Sequence, residues 1–321
     1  MKRKAWIAAA IVVALGGAAW IPAGGVDVTA DHAERRSGQT IDLSPFSDAP
    51  PSGKVELLFI HHSCGGQLLA PEGAEDGAHC IYRAHPNGGD ARALLEQAGY
   101  VVHEASYDSI VGDRTDLFDW LPKFRTQMDR ILATRLQDER LADGTRNQIV
   151  AFKSCFPNSD FVGEGTEPGN AAGPELTLAN AKATMRAVRD ELARHPEVLF
   201  VYVTAPPLAP RLPAAPLWKV IAKAVLGRQM NEARYRERAR IARAFNDWMK
   251  SPSGWLDGYG HKNVVVFDYF DELTDGGSSN NLRFSTGGGY DSHPSAEGNR
   301  RAAAELVPFL NRAARRAGIV R

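Results

Sequence analysis

The sequence predicts an α/β fold, a single parallel five-stranded sheet covered by helices, with strand order 2-1-3-4-5 as in flavodoxin-like sheets. Three observations predict it. Five short apolar runs rich in Val, Ile and Phe recur along the chain, the composition of strands buried on both faces. Between them lie segments whose apolar residues fall at spacings of three and four, the period of a helix packed on a core. The 321 residues, 44% of them hydrophobic, suffice for one large α/β domain or two small ones.

The elements follow in order. "MKRK" precedes "AWIAAAIVVALGGAAWIPA", which carries no charge. A basic start before an apolar stretch is an export signal, and this stretch is about as long as a membrane-spanning helix, roughly 20 residues. Residues 1–30 are therefore either a cleaved signal peptide or an anchor through residues 5–23, and the basic flank sends the rest of the chain out of the cytoplasm, to a periplasmic or extracellular site. Residues 31–53, rich in Pro, Ser and Asp, read as a linker, and 54–321 as the folded domain. "KVELLFI" is the first strand, ending at Ile60. "GDARALLEQAG" is a short helix that stops at Gly99. "YVVHEASY" is the second strand. Leu117, Leu121, Phe124, Met128 and Ile131 predict an amphipathic helix over 116–136. "NQIVAF" is the third strand, and Leu178, Ala181, Met185, Val188 and Leu192 mark the next helix. "EVLFVYVTAPP" is the fourth strand, stopped by two prolines. A long basic helical region covers about 217–250. "NVVVFDYF" is the fifth strand. After a glycine- and asparagine-rich loop, the last helix runs from Ser295 to Arg315, with Ser295 suited to cap it and Glu297 placed well in its first turn.

Charge and cysteine content narrow the function. Lys+Arg and Asp+Glu both number 38, so the balance favours no nucleic-acid partner. Three cysteines, Cys64, Cys80 and Cys155, permit one disulfide with one thiol left over outside the cytoplasm, or serve as three small buried residues. No cysteine or histidine spacing fits a structural zinc, and neither metal nor cofactor is expected.

In a sheet of this order ligands bind at the carboxyl ends of the strands, where the order reverses between strands 1 and 3. Polar loops converge there. Strand 1 runs into "HHSCGG", which presents Ser63 at a turn followed by glycines. Strand 2 leads to "DSIVGDRTD" with Gly112. Strand 3 leads to "KSCFPNSD" with Ser154 and Asn158. The last loop, "GGGYDSHPS", brings Asp291 and His293. A serine hydroxyl becomes a nucleophile when a base takes its proton. A histidine serves because it titrates near neutrality, and a carboxylate on its other nitrogen holds the tautomer. Donors must await the oxyanion. Ser63, His293, Asp291, Gly112 and Asn158 can fill these roles. Asp291 could instead stabilise the start of the last helix, and Ser154 could stand in for Asn158. His61 and His62 alternate along the strand, so the pair points to opposite faces and does not suggest a metal site.

On these residues the chain resembles the SGNH (GDSL-like) hydrolase superfamily over about 54–315. Ser63 in "HHSCGG" resembles the first-block serine, Gly112 in "IVGDRT" the second-block glycine, Asn158 in "CFPNSD" the third-block asparagine, and His293 in "DSHPSAEGN" the fifth-block histidine. The resemblance implies a three-layer α/β/α sandwich. It also implies an oxyanion hole of the Ser63 and Gly112 N–H groups with the Asn158 side chain, and esterase or deacetylase activity on an O-acyl group, with a small-molecule or carbohydrate ester as substrate. The sequence departs from the family in three ways. His61-His62-Ser63 replaces Gly-Asp-Ser, the third block is longer, and Tyr290 occupies the usual acid position, leaving Asp291 two residues before the histidine. The Asp-x-His pair resembles the alginate acetyltransferase branch, so acyl transfer stands beside hydrolysis. A carbohydrate-binding protein without catalysis, a Cys64 thiol enzyme and metal-dependent phosphoester hydrolysis are the further alternatives.

Overall fold

The computed structural model describes residues 26–27, 41–212 and 231–321. The expected signal or anchor lies outside the described residues, save Val26–Asp27, which pair antiparallel with Arg211–Leu212. So does the first part of the long basic helix. Among the described residues no helix is long and apolar enough to cross a membrane.

Five parallel strands form the central sheet: β1 (Val55–Ile60), β2 (Tyr100–Ala105), β3 (Ile149–Lys153), β4 (Leu199–Val203) and β5 (Val264–Phe267). Their order is β2-β1-β3-β4-β5, the order read from the sequence. Successive side chains of a strand face opposite ways. In β1, Leu58 and Ile60 join one core while Val55, Leu57 and Phe59 join the other, which explains why the run is apolar apart from Glu56. The first core lies under α3 (Trp120–Ala133), α4 (Leu178–Leu192) and α5 (Asn231–Lys250). The second lies under α1 (Cys64–Leu69), α2 (Ala91–Gln97) and α7 (Ala296–Ala317). Phe124, Phe152 and Phe200 meet edge to face in the first core, and each such buried side chain contributes on the order of 1.5–3 kcal/mol. Small residues at Ala302, Ala303, Ala313 and Ala314 let α7 lie close on the sheet.

α4 and α7 start where a side chain satisfies a free N–H group. Thr177 accepts from Asn180 N (3.3 Å) at the head of α4 and Ser295 from Gly298 N (3.4 Å) at α7. Several sequence expectations need correction. "NVVVFDYF" is a strand only to Phe267, because the Asp268 side chain accepts from Asp271 N (3.0 Å) and starts a helix, α6 (Tyr269–Leu273). The helix expected over 116–136 opens as a 3₁₀ turn, Leu117–Asp119, and ends at Ala133, where Thr134 turns extended and its hydroxyl donates to Arg130 O. Asp291 and His293, expected on a loop, lie on a short strand, Asp291–Pro294, paired antiparallel with Ser285–Thr286. A hairpin of Asp76–Ala78 and Ile81–Ala84 follows α1 where the sequence suggested no element. Residues 41–53, read as linker, carry no helix or strand, yet they lie along α7.

Candidate active site

Ser63 sits between β1 and α1 with φ 37° and ψ −96°. For a residue with a Cβ this left-handed φ costs on the order of 1–3 kcal/mol and persists only where the surroundings hold it. The turn lifts Ser63 off the carboxyl end of β1, beside the loops that follow β2 and β3.

The short antiparallel ladder brings His293 to this serine. Ser63 Oγ lies 2.6 Å from His293 Nε2, although 230 residues separate them. On the far side of the ring, His293 Nδ1 lies 2.7 Å from Asp291 Oδ1, and the same oxygen accepts from His293 N at 3.0 Å. Two residues of extended backbone are therefore enough for the acid to reach the ring. Partial burial pulls the Asp291 carboxyl up, but the hydrogen bonds from the ring and backbone of His293 outweigh it, and its pKa lies below the ordinary value. Phe156 stands edge-on to the imidazole, ring centroids 5.1 Å apart.

The three proposed oxyanion donors differ. Among the described residues the Ser63 N–H has no acceptor. The Gly112 N–H donates to Ser109 Oγ at 3.0 Å, so it is already partnered. A side chain at Gly112 would fall 2.2 Å from both Ser106 N and Ser106 O, so close approach requires glycine there. Asn158 is also engaged: its Oδ1 accepts from Leu117 N (2.7 Å) and its Nδ2 donates to Asp116 Oδ1 (2.9 Å). An amide nitrogen carries a second N–H, which this bond does not use. Ser154 is fully buried and its hydroxyl accepts from Trp120 Nε1 at 2.8 Å, so it takes a structural part.

The two histidines before Ser63 diverge. His62 Nε2 donates to Gly112 O at 2.8 Å and its ring stacks on Tyr107. Burial pulls its pKa down to about 4, so it is neutral and fixed in one tautomer. His61 Nε2 lies 2.9 Å from Glu104 Oε1, and Glu104 pairs with Arg92. Burial, then the charges of Lys153 and Arg92, pull His61 down to about 3.

Several positioning groups carried no signal in the sequence. Lys123 Nζ, buried, donates to Val111 O (2.5 Å) and Asp113 O (2.6 Å) and so brackets Gly112. Burial pulls its pKa down to about 8. The amphipathic period of α3 marks the helix face but not this inward-turned ammonium. His85 is buried near His293; its Nδ1 accepts from Asn87 N at 3.0 Å, and burial lowers its pKa, with His293 adding to the effect. Among the described residues no group of three or more His, Cys, Asp or Glu could hold a metal ion.

No protein-family model and no curated protein matches the chain significantly. One solved structure aligns with 84% of this chain and 98% of its own at 15% identity and a TM-score of 0.34. A second aligns with 84% of this chain and 68% of its own at 13% identity and a TM-score of 0.37. It is a carbohydrate esterase family 2 enzyme plus carbohydrate binding domain from Corynascus thermopiles (Myceliophthora fergusii).

Proposed function

We propose that the chain is an exported serine hydrolase of the SGNH type that cleaves an O-acyl group, acetyl in the first instance, from a carbohydrate. The observation that carries the reading is the unbroken run from Asp291 Oδ1 to His293 Nδ1 (2.7 Å) and from His293 Nε2 to Ser63 Oγ (2.6 Å). It lies beyond the carboxyl ends of the strands, where a sheet of this order binds ligands.

The chemistry follows from these contacts. His293 takes the Ser63 proton as Oγ attacks the ester carbonyl, and Asp291 stabilises the imidazolium that forms. The imidazolium then gives its proton to the departing alcohol. Water, activated by the same histidine, releases the acyl group from Ser63. The Ser63 N–H and the second N–H of Asn158 Nδ2 are the donors open to the oxyanion. Gly112 N–H joins them on leaving Ser109 Oγ. Tyr107 and Tyr290, each 38% exposed, place amphipathic rings suited to lie against a sugar.

The test is hydrolysis of an acetylated oligosaccharide and of a chromogenic acetate ester, with labelling by a fluorophosphonate. Ser63→Ala abolishes both turnover and label, and His293→Ala lowers turnover by at least about 10²-fold. Full activity in either folded variant overturns the assignment. A product formed only when a sugar acceptor is supplied redirects the reading to acyl transfer.

A further inference from the structure

Cys64 and Cys155 take no part in the chemistry above, yet they lie directly beneath it. Cys64 follows Ser63 and opens α1. Cys155 follows β3 by two residues and starts the turn that carries Asn158. β1 and β3 are paired neighbours, Ile60 opposite Phe152, so both cysteines leave adjacent strands at the same end. Their sulfurs are 3.6 Å apart and both side chains are buried. We propose that Cys64 and Cys155 are a redox pair that closes to a disulfide, stapling the Ser63 turn to the Asn158 turn.

The geometry and the chemistry agree. A disulfide holds its sulfurs about 2.0 Å apart, so the pair needs a small approach and no exchange of strands. The hydrogen bond between the two sulfurs, with the charge of the fully buried Lys153 two residues back, holds the Cys155 thiol well below the usual range, whereas burial pushes Cys64 up. Either cysteine can open the exchange as its thiolate while the chain is still folding; in one order, Cys155 is first. It attacks one sulfur of a small-molecule or protein disulfide and displaces a thiolate. Cys64 then gives up its proton, attacks the Cys155 sulfur of the mixed disulfide and expels the second thiolate. The two cysteine thiols are oxidised by two electrons and the donor disulfide is reduced to two thiols. Because both sulfurs are buried in the folded chain, the exchange belongs to folding, and the finished bond is shielded from reductant. Cys80 is left over. It sits at the tip of the Asp76–Ala84 hairpin, partly exposed, with the Tyr82 hydroxyl 3.4 Å from its sulfur.

Once formed, the staple ties the residue after Ser63 and so limits relaxation of the Ser63 backbone from its left-handed φ of 37°. The pairing stands whether or not Ser63 is a nucleophile. The test refolds the reduced, denatured full chain in a reduced and oxidised glutathione buffer. Free thiols are then blocked with N-ethylmaleimide in denaturant, and the chain is digested without reductant for mass spectrometry. The expected result is a linked peptide containing Cys64 and Cys155, a mass lower by two hydrogens, alkylation at Cys80 alone, and a melting temperature above that of the reduced chain. Cys80→Ser keeps the bridge. Three alkylated cysteines in protein with a native near-ultraviolet spectrum, or a bridge that includes Cys80, overturns the proposal. If the chain does not refold, the same mapping on protein isolated from an oxidising compartment decides it by the same two outcomes.

Discussion

A single oxygen of Asp291 accepts both from the His293 ring, at 2.7 Å, and from the His293 backbone, at 3.0 Å. Asp291→Asn keeps an acceptor of the same shape but removes the charge that stabilises an imidazolium. The expected effect is a fall in kcat of about 10²–10⁴-fold with KM nearly unchanged; a fall below tenfold would move the acid's role elsewhere. His62 gives a test with a pH signature. Its pKa is pulled from 6.5 down to about 4 in the folded chain by burial. Between those values the unfolded chain binds a proton that the folded chain does not, so this residue's contribution to stability is lost as pH falls from 6.5 towards 4. His62→Gln carries its amide N–H at the same reach as Nε2 and can still donate to Gly112 O, but does not titrate. The stability cost of that substitution, read by urea unfolding, therefore shrinks on acidification by up to about 1.4 kcal/mol per pH unit, and a cost constant between pH 7 and 4.5 would contradict it. Taking the difference cancels Asp268 and Glu272, which burial raises to about 6 and 7 and which act in the opposite direction. At this scale the sequence made residue types and chain positions readable: a serine after a strand, an acid and a base before a helix. It could not reveal that Ser109 occupies the Gly112 N–H or that Asp116 and Leu117 hold Asn158, because those partners meet through the tertiary fold.

The element that decides the site is the small ladder of Ser285–Thr286 with Asp291–Pro294, closed by Gly287, Gly288 and Gly289. Ser292 Oγ accepts from Ala209 N at 2.9 Å, which ties the ladder to the chain after β4, and Thr286 Oγ1 donates to His293 O at 3.1 Å across the ladder itself. Gly288 has φ 66° and ψ 20°, and a Cβ there would meet nothing nearer than Tyr290 Cδ2 at 4.0 Å. Gly288→Ala therefore tests backbone strain without a clash. The expected cost is about 1–2 kcal/mol, concentrated in this hairpin, with a lower kcat because Asp291 and His293 move together off Ser63. A stability loss with kcat intact would show that the turn does not set the histidine's position. The five sheet strands were readable because two buried faces demand apolar residues at most positions, with Glu56, His103, Glu104 and Lys153 the exceptions. The ladder was not, since a two-residue strand beside three glycines has no side-chain period to read.

Across the whole molecule, the sheet order followed from the alternation of apolar runs and helices, whereas the attachment of residues 41–53 did not. Their Pro, Ser and Asp content reads as linker, and their anchors are mostly backbone carbonyls, which leave no mark in a sequence. Asn311 Nδ2 donates to Asp48 O (2.7 Å), Arg315 Nη1 to Ala49 O (2.7 Å), and Arg312 pairs with the Asp48 carboxylate. Ile41 and Leu43 pack on the core under α7 and help wall a cavity of about 550 Å³ that also meets Lys250, Asp268 and Phe309. The segment thus runs along α7 from the β5 side, where Ile41 and Leu43 sit, to the start of β2, where the Tyr100 hydroxyl donates to the same Asn311. A chain begun at residue 54 loses these bonds, each contributing a net of about 0.5–1.5 kcal/mol, together with the apolar cover of Ile41 and Leu43. Compared with a chain begun at residue 41, it is expected to melt several degrees lower, at about 2–4 °C per kcal/mol for a domain near this size, while kcat on a simple acetate ester stays within about twofold at a temperature where both are folded. Equal melting temperatures would mean that the segment rests on α7 without stabilising it. A large loss of kcat in the folded, shortened chain would mean that the segment's cover along α7 communicates with the Ser63 end of the sheet.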